Sequence, residues 1–322
     1  MRHARGRLVP ADQTRKRGAR GAVDSGDRPT LGAARHGRTP LLTILQPRTI
    51  DDALAVRAQR PDALVVAGGT GVLVELNRGP AKPPALLDLS RVAGLRESEL
   101  MGGGAELRLG AGTTYTDVLE RYADRLPGLA AAARTVASRQ VRNRATLAGA
   151  LVLGDPSSDA LAALGAARAT VEVEGPGGVR QVRAEAFVTG PGACGLSPDE
   201  LVTALIVPIA RGPAAYAKAG ARNAMARAVC GVAVELHLAD RVATVCVVGA
   251  APTAIRPHAA EALIASVWDD GPLAPETLRR LGELVAAAVD PIPDARGSAA
   301  YRRHVAGVLA VRALRRTWDA AR

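Results

Sequence analysis

The sequence predicts an α+β fold: a two-part α/β domain followed by a C-terminal domain in which a small antiparallel sheet carries helices. Three observations predict it. In residues 40–94 short apolar strands alternate with helical stretches and pass through a Gly-Gly pair, the pattern of a β-α-β-loop-α unit. In residues 216–248 three strand-like runs follow one another, the last two separated only by Ala239-Asp240-Arg241, which calls for a tight antiparallel turn. Apolar residues at helical spacing then close the chain, and those stripes need a sheet to bury them.

Taken in order, ordered structure is expected to begin near Pro40, with a short strand over residues 41–45 halted at Pro47. Thr49 offers a helix N-cap, and Asp51 and Asp52 suit the first turn of a helix that runs to about Gln59. Residues 63–67 read as a buried strand running into Gly68-Gly69 and a helix over 72–77, and residues 86–89 as another strand. A second region starts near Leu95: a strand over 105–110, a helix over 116–125, a helix over 129–139, and a loop over 140–150. After Asp159 a short helix covers 160–167. Two strands, 170–174 and 179–182, flank Gly175-Pro176-Gly177-Gly178 as a hairpin, and a strand over 200–207 stops at Pro208. Arg211-Gly212-Pro213 marks the next boundary. Beyond it come strands at 216–218, 230–238 and 242–248, then helices at 258–267, 275–289 and 299–318. The expected organisation is a basic, disordered extension over 1–39, an α/β domain over 40–212 with subdomains of about 40–94 and 95–212, and a C-terminal domain over 213–322.

The bulk numbers exclude several function classes. With 322 residues, 48 % of them hydrophobic, the chain can bury a sizeable core. Aromatic residues make up only 2 %, so there is little to stack on nucleic-acid bases. The net charge of +11 is unevenly spread: residues 1–40 hold ten Arg and Lys against three Asp, a surplus of seven, and the other 282 residues share the remaining four. A basic tail on a nearly balanced body is more often a disordered extension or a misplaced start codon than a nucleic-acid-binding arm. The tail lacks the apolar stretch of about 7–15 residues that a secretory signal needs, and no run approaches the roughly 18 apolar residues of a membrane span. A cytoplasmic protein is expected. Cys194, Cys230 and Cys246 are isolated, so neither a zinc site nor an iron–sulfur cluster can be assembled from this chain alone. His3, His36, His237, His258 and His304 are scattered, and no catalytic acid, base or metal ligand is proposed.

The chemistry lies in two loops. In Val65-Val66-Ala67-Gly68-Gly69-Thr70-Gly71 a strand ends in small residues and opens a helix, which gathers backbone N–H groups into a concavity suited to a pyrophosphate. Taken alone, Gly-Gly before a helix also reads as a plain turn. The second loop, Gln140-Val141-Arg142-Asn143-Arg144-Ala145-Thr146-Leu147-Ala148-Gly149-Ala150, lies on a separate region and is followed by Asp155-Pro156-Ser157-Ser158-Asp159.

Together with Tyr216-Ala217-Lys218-Ala219-Gly220-Ala221-Arg222-Asn223-Ala224 and Asp294-Ala295-Arg296-Gly297-Ser298-Ala299-Ala300-Tyr301-Arg302, these blocks run in an order that resembles the FAD-binding (medium) subunit of molybdenum hydroxylases, the carbon monoxide dehydrogenase and xanthine dehydrogenase family. The resemblance spans about residues 41–318. It implies a PCMH-type, vanillyl-alcohol-oxidase-like FAD-binding fold, and an electron-transfer subunit that works beside a molybdopterin-binding large subunit and a [2Fe-2S] small subunit. Electrons would leave the flavin for an acceptor such as NAD or a quinone. Residue by residue, it implies that Val65, Val66, Ala67, Gly68, Gly69, Thr70, Gly71 and Val72, with Thr146, Leu147, Ala148, Gly149 and Ala150, enclose the FAD pyrophosphate. Asp159 would accept a hydrogen bond from a cofactor hydroxyl, Val202 would pack near the ring system, and Lys218 would stand by the isoalloxazine. The residues themselves also allow Asp159 to be a helix N-cap and Lys218 a solvated charge on an edge strand.

The chain departs from the family pattern in the second loop, where Ala145 and Ala148 replace glycine and Ala150 replaces asparagine. Gly71 likewise replaces Ser or Asp. If those positions need positive φ, alanine costs on the order of 1 kcal/mol each, and FAD binding is weakened. The alternative is a non-catalytic assembly subunit with the same fold that has lost FAD.

Overall fold

The structure is a computed structural model and describes residues 42–79 and 83–322. The basic extension expected over residues 1–39 lies outside the described residues, as do Lys16 and Lys82.

The first lobe contains β1 (Thr43–Leu45), α1 (Ile50–Gln59), β2 (Leu64–Val66), α2 (Val72–Arg78) and β3 (Ala85–Asp88). Helix α1 starts where its sequence signals place it: Thr49 Oγ1 accepts from the Asp52 N–H at 3.1 Å, with Asp51 and Asp52 at the positive end. The three strands form a parallel sheet in the order β1-β3-β2, so the last strand inserts between the first two. That insertion brings the end of β2, and the Gly-Gly turn after it, to one edge of the lobe.

The second lobe is an antiparallel sheet with helices. In chain order its elements are β4 (Ser98–Met101), β5 (Glu106–Gly110), α3 (Tyr115–Arg121), α4 (Pro127–Arg134), α5 (Arg139–Arg142), α6 (Leu147–Val152), α7 (Asp159–Ala166), β6 (Thr170–Gly175), β7 (Gly178–Arg183), α8 (Ala184–Phe187), β8 (Val188–Gly190), β9 (Ala193–Cys194) and β10 (Leu201–Pro208). Five of these strands pair in the order β4-β5-β10-β6-β7, and β8 pairs with β9. A capping box opens α3, Thr114 Oγ1 accepting from the Asp117 N–H and the Asp117 carboxylate accepting from the Thr114 N–H.

Two readings of this lobe need correction. The helix expected over 129–139 is broken: α4 stops at Arg134, and Ala137 takes a positive φ of 38°. The break is stabilised from outside the segment, since Arg142 Nη1 donates to the carbonyls of Val136 and Ala137 at 2.7 and 3.0 Å. The stretch 140–150, expected as a loop, holds most of α5 and the first turn of α6.

The C-terminal part comprises β11 (Ala214–Gly220), β12 (Ala228–His237), β13 (Val242–Val248), α9 (His258–Ser266), α10 (Pro275–Ala288) and α11 (Ala299–Ala320). Its antiparallel sheet runs in the order β11-β12-β13. Strand β12 is buried from Ala228 to Leu236. Its Cys230, Val232, Val234 and Leu236 enter the core under the helices, whereas Ala233 enters the core of the second lobe with Tyr216 and Cys246. The period-2 alternation of a strand thus serves two cores at once, and it aims Tyr216 into the second lobe.

Candidate functional site

The two loops meet. A Cβ built on Gly68 would stand 1.9 Å from the carbonyl oxygen of Arg144 and 3.1 Å from the Ala145 Cα, so only glycine lets β2 end against the second loop. Gly69 has a φ of 77°, the left-handed region that glycine enters without strain. Among the described residues, none accepts a hydrogen bond from the backbone N–H of Gly68, Gly69, Thr70, Gly71 or Val72, and all five are only half-buried. Unused donors gathered in this way have the form of the concavity that the sequence suggests.

The second loop is built differently. Thr146 is the N-cap of α6: its Oγ1 accepts from the Gly149 N–H at 3.1 Å, and its carbonyl accepts from Ala150. The Leu147 N–H donates to Thr113 at 3.0 Å and the Ala145 carbonyl accepts from Tyr115, which ties the loop to the start of α3. Ala145, Ala148 and Ala150 all have ordinary negative φ. The backbone cost expected of alanine there is therefore absent: Ala148 and Ala150 lie in α6, where alanine is the best helix former, and Ala145 stands just before its N-cap.

Val65, Ala67, Gly68, Val72, Thr146, Ala148, Gly149 and Val202 line one cleft of about 940 Å³, its open mouth included. Val66, Gly69, Thr70, Gly71 and Leu147 do not line it. Ala150 and Asp159 line a neighbouring pocket with Tyr115, Val136 and Met225. Leu153 borders both pockets, so the two are adjacent. No sequence signal marked Arg57, Arg96 or Arg144 as lining residues of the cleft; Arg57, in the last turn of α1, reads locally as a helix C-terminal cation.

Asp159, buried, and Lys218, partly buried, form an ion pair. Lys218 Nζ donates to Asp159 Oδ2 at 2.7 Å and to the carbonyls of Thr135 and Ala226 at 3.0 Å each. The Tyr216 hydroxyl donates to Asp159 Oδ1. Burial, and next the Asp159 charge beside it, push the Tyr216 hydroxyl well above its ordinary value, so it remains a donor. Lys218 is thus neither a solvated charge nor a lining residue of the main cleft. It closes the end of α4 at the break described above, using its charge where the helix C-terminus is negative. The N-cap of α7 is Ser158, which leaves the Asp159 carboxylate free for the pair.

Cys230 and Cys246 are buried and Cys194 partly so; burial raises the Cys230 thiol to about 12, as for an inert core residue. Among the described residues no group of three His, Cys, Asp or Glu could hold a metal, and no helix is long and apolar enough to cross a membrane.

A parallel lobe and an antiparallel lobe closing two small-residue turns over one cleft define the class, an FAD-binding domain. The family model described as the FAD binding domain in molybdopterin dehydrogenase matches residues 40–210, and the CO dehydrogenase flavoprotein C-terminal domain matches residues 214–317. The chain belongs to the FAD-binding subunits of the molybdenum hydroxylases, the family of carbon monoxide dehydrogenase and xanthine dehydrogenase. It is 34 % identical to the xanthine dehydrogenase FAD-binding subunit of Escherichia coli O157:H7 over 272 residues, covering 80 % of this chain and 89 % of that protein. With the nicotine 6-hydroxylase medium subunit of Paenarthrobacter nicotinovorans it shares 32 % over 271 residues, 82 % of this chain and 93 % of that one. Among solved structures, carbon monoxide dehydrogenase from Hydrogenophaga pseudoflava lacking the Mo-pyranopterin moiety superposes with a TM-score of 0.80 at 32 % identity, covering 88 % of this chain and 99 % of that one.

Proposed function

We propose that this chain is the electron-transfer subunit of a molybdenum hydroxylase complex, holding FAD in the cleft between its lobes. A molybdopterin-binding large subunit and a [2Fe-2S] small subunit are its partners in this reading, and the acceptor is a diffusible oxidant such as NAD or a quinone. The bound flavin would supply the chemistry that collects single electrons from the iron–sulfur carriers of a partner and passes them to the acceptor. The FAD-binding part is proposed to span 40–212 and the C-terminal part 213–322.

The observation that carries the reading is the closure of the first loop on the second, with five unused backbone donors beside it. In this reading the residues from Val65 to Val72 supply hydrogen-bond donors to the pyrophosphate, while Thr146, Leu147, Ala148, Gly149 and Ala150 supply the opposing wall. Val202, nearly buried at the cleft, supplies apolar contact. Asp159 and Lys218 act on the flavin through the pocket that Asp159 lines: the pair fixes the end of α4 and the start of α7, which flank it.

A second reading, an assembly subunit without FAD, is favoured by one feature. Both carboxylate oxygens of Asp159 are already used by Lys218 and Tyr216, so a cofactor hydroxyl must share them. The absorption spectrum of the purified protein decides between the two. Flavin bands, with about one FAD per chain after incubation and desalting, support the electron-transfer reading; a colourless protein whose melting point ignores added FAD overturns it.

A further inference from the structure

A pyrophosphate brings two negative charges into a cleft, and backbone N–H groups offer only partial charges to meet them. The charged side chains of this cleft are therefore informative. They are Arg57, Arg96, Arg144 and Glu200. Glu200 is already neutralised: its carboxylate accepts from Arg180 Nε and Nη2 at 2.8 and 2.6 Å and from the Ser197 N–H at 2.7 Å. The Arg180 guanidinium accordingly holds the Glu200 carboxyl down at about 2.

The three arginines are not neutralised in this way. Among the described residues, Arg96 and Arg144 make no side-chain hydrogen bond and no ion pair. The Arg96 stem crosses Gly112 at the cleft wall; a Cβ on Gly112 would stand 3.0 Å from Arg96 Cγ. Arg57 is anchored through one nitrogen only, Nη1 donating to the carbonyls of Pro61 and Ala63 at 3.2 and 2.8 Å. Its Nε is buried without any partner, and a buried donor left unpaired is costly.

We propose that Arg57, Arg96 and Arg144 form a cationic clamp for the diphosphate of the ADP half of FAD, Arg96 and Arg144 supplying the counter-charge and Arg57 a rigidly anchored guanidinium at the wall. The inference rests on the cleft being the FAD site. It goes beyond that reading by assigning the charge balance to three side chains, Arg57 and Arg96 outside both small-residue loops and Arg144 within the second. Guanidinium is the group suited to this task, because its planar fork matches two phosphate oxygens at once.

The test uses the full chain stripped of flavin, with calorimetric titrations of FAD, ADP and riboflavin against wild type, Arg96→Ala, Arg144→Ala, Arg57→Leu and Arg96→Lys. Arg96 and Arg144 are exposed, so their variants are expected to melt with wild type. On the clamp, Arg96→Ala and Arg144→Ala each weaken both FAD and ADP by about tenfold, the scale of one charge-assisted hydrogen bond. Riboflavin, which has no phosphate, is unchanged, Arg96→Lys recovers part of the loss, and raising the salt narrows the gap to wild type. If Arg57→Leu lowers the melting point, the two exposed variants still decide the matter. FAD and ADP affinities within twofold of wild type in both overturn the clamp while leaving the cleft as the FAD site. A wild-type chain that takes up neither FAD nor ADP overturns the site reading and the clamp with it. Equal losses for riboflavin and ADP also overturn it, since they would show a general disturbance of the cleft.

Discussion

The two loops that close the cleft are alike in sequence and unlike in construction. The first, Gly68 to Val72, is held in place by what it lacks: no side chain at Gly68, a positive φ at Gly69, and no internal acceptor for five N–H groups. The second, Thr146 to Ala150, is a capped helix start whose N–H groups at Leu147, Gly149 and Ala150 are satisfied within the chain. Donor capacity therefore sits on the first loop and shape on the second. Substitutions that look equivalent by motif should have unequal effects, and the alanines of this chain fall on the loop that has fewer donors to lose.

The harshest way to break this division is to push the loops apart. Gly68→Val places a branched side chain where the Arg144 carbonyl already stands at 1.9 Å from the Cβ position. Overpacking of that kind costs about 3 kcal/mol when the obstacle is backbone. The expected outcome is a melting point lower by several degrees and no measurable FAD uptake in desalted protein. Retained uptake would show that the contact between the loops is dispensable.

Gly69→Val separates strain from collision, because its nearest neighbour is the flexible end of Leu73 at 3.2 Å. A β-branched residue at a φ of 77° carries roughly 1–2 kcal/mol of backbone strain. FAD affinity should fall about tenfold, read by fluorescence quenching, in a protein that still folds. An unchanged affinity would mean that the first loop is only a turn.

On the second loop the matching change is Thr146→Ala, which removes the Oγ1 acceptor of the Gly149 N–H. Loss of an N-cap costs about 1 kcal/mol, measurable by denaturant unfolding. FAD affinity should fall by less than in Gly69→Val. A larger fall would locate the donors on the wrong loop.

The same contrast explains what could be read from the sequence. Thr49 with Asp52, and Thr114 with Asp117, are local signals, and the helices they start are where the pattern puts them. The strands of the C-terminal sheet were legible from their apolar runs and the short turn at residues 239–241. The break after Arg134 was only faintly marked, since Thr135, Val136 and Ser138 are weaker helix formers by a few tenths of a kcal/mol. What stops that helix is Arg142, together with Lys218, which reaches Thr135 from 83 residues away. Strand β4 escaped notice for a related reason: Ser98-Glu99-Leu100-Met101 becomes a strand by pairing with β5 on the sheet edge, where little burial marks the sequence. For the site, the glycines drew attention to both loops. The sequence could not tell a loop that needs positive φ from a helix start, since glycine and alanine suit the latter alike in pattern. The pairing of Asp159 with Lys218 and the gathering of Arg57, Arg96 and Arg144 depend on how the lobes meet, to which no local spacing points.

The smallest expected effect is also the most discriminating. If the alanines of the second loop merely obstruct a working site, Ala148→Gly combined with Ala150→Asn should tighten FAD binding, by removing a methyl and adding a donor. The conformation argues otherwise. Ala148 and Ala150 lie in α6 with negative φ, where glycine costs up to about 1 kcal/mol and asparagine about half of that relative to alanine. Ala150 faces the neighbouring pocket rather than the main cleft, so an added amide there does not meet the donors of the first loop. The double variant should unfold at slightly lower denaturant and bind FAD with unchanged or slightly weaker affinity, within about threefold by calorimetry, a difference of well under 1 kcal/mol. Tightening by tenfold or more would show that the second loop, too, must offer donors to the cofactor, and the division of labour between the loops would have to be abandoned.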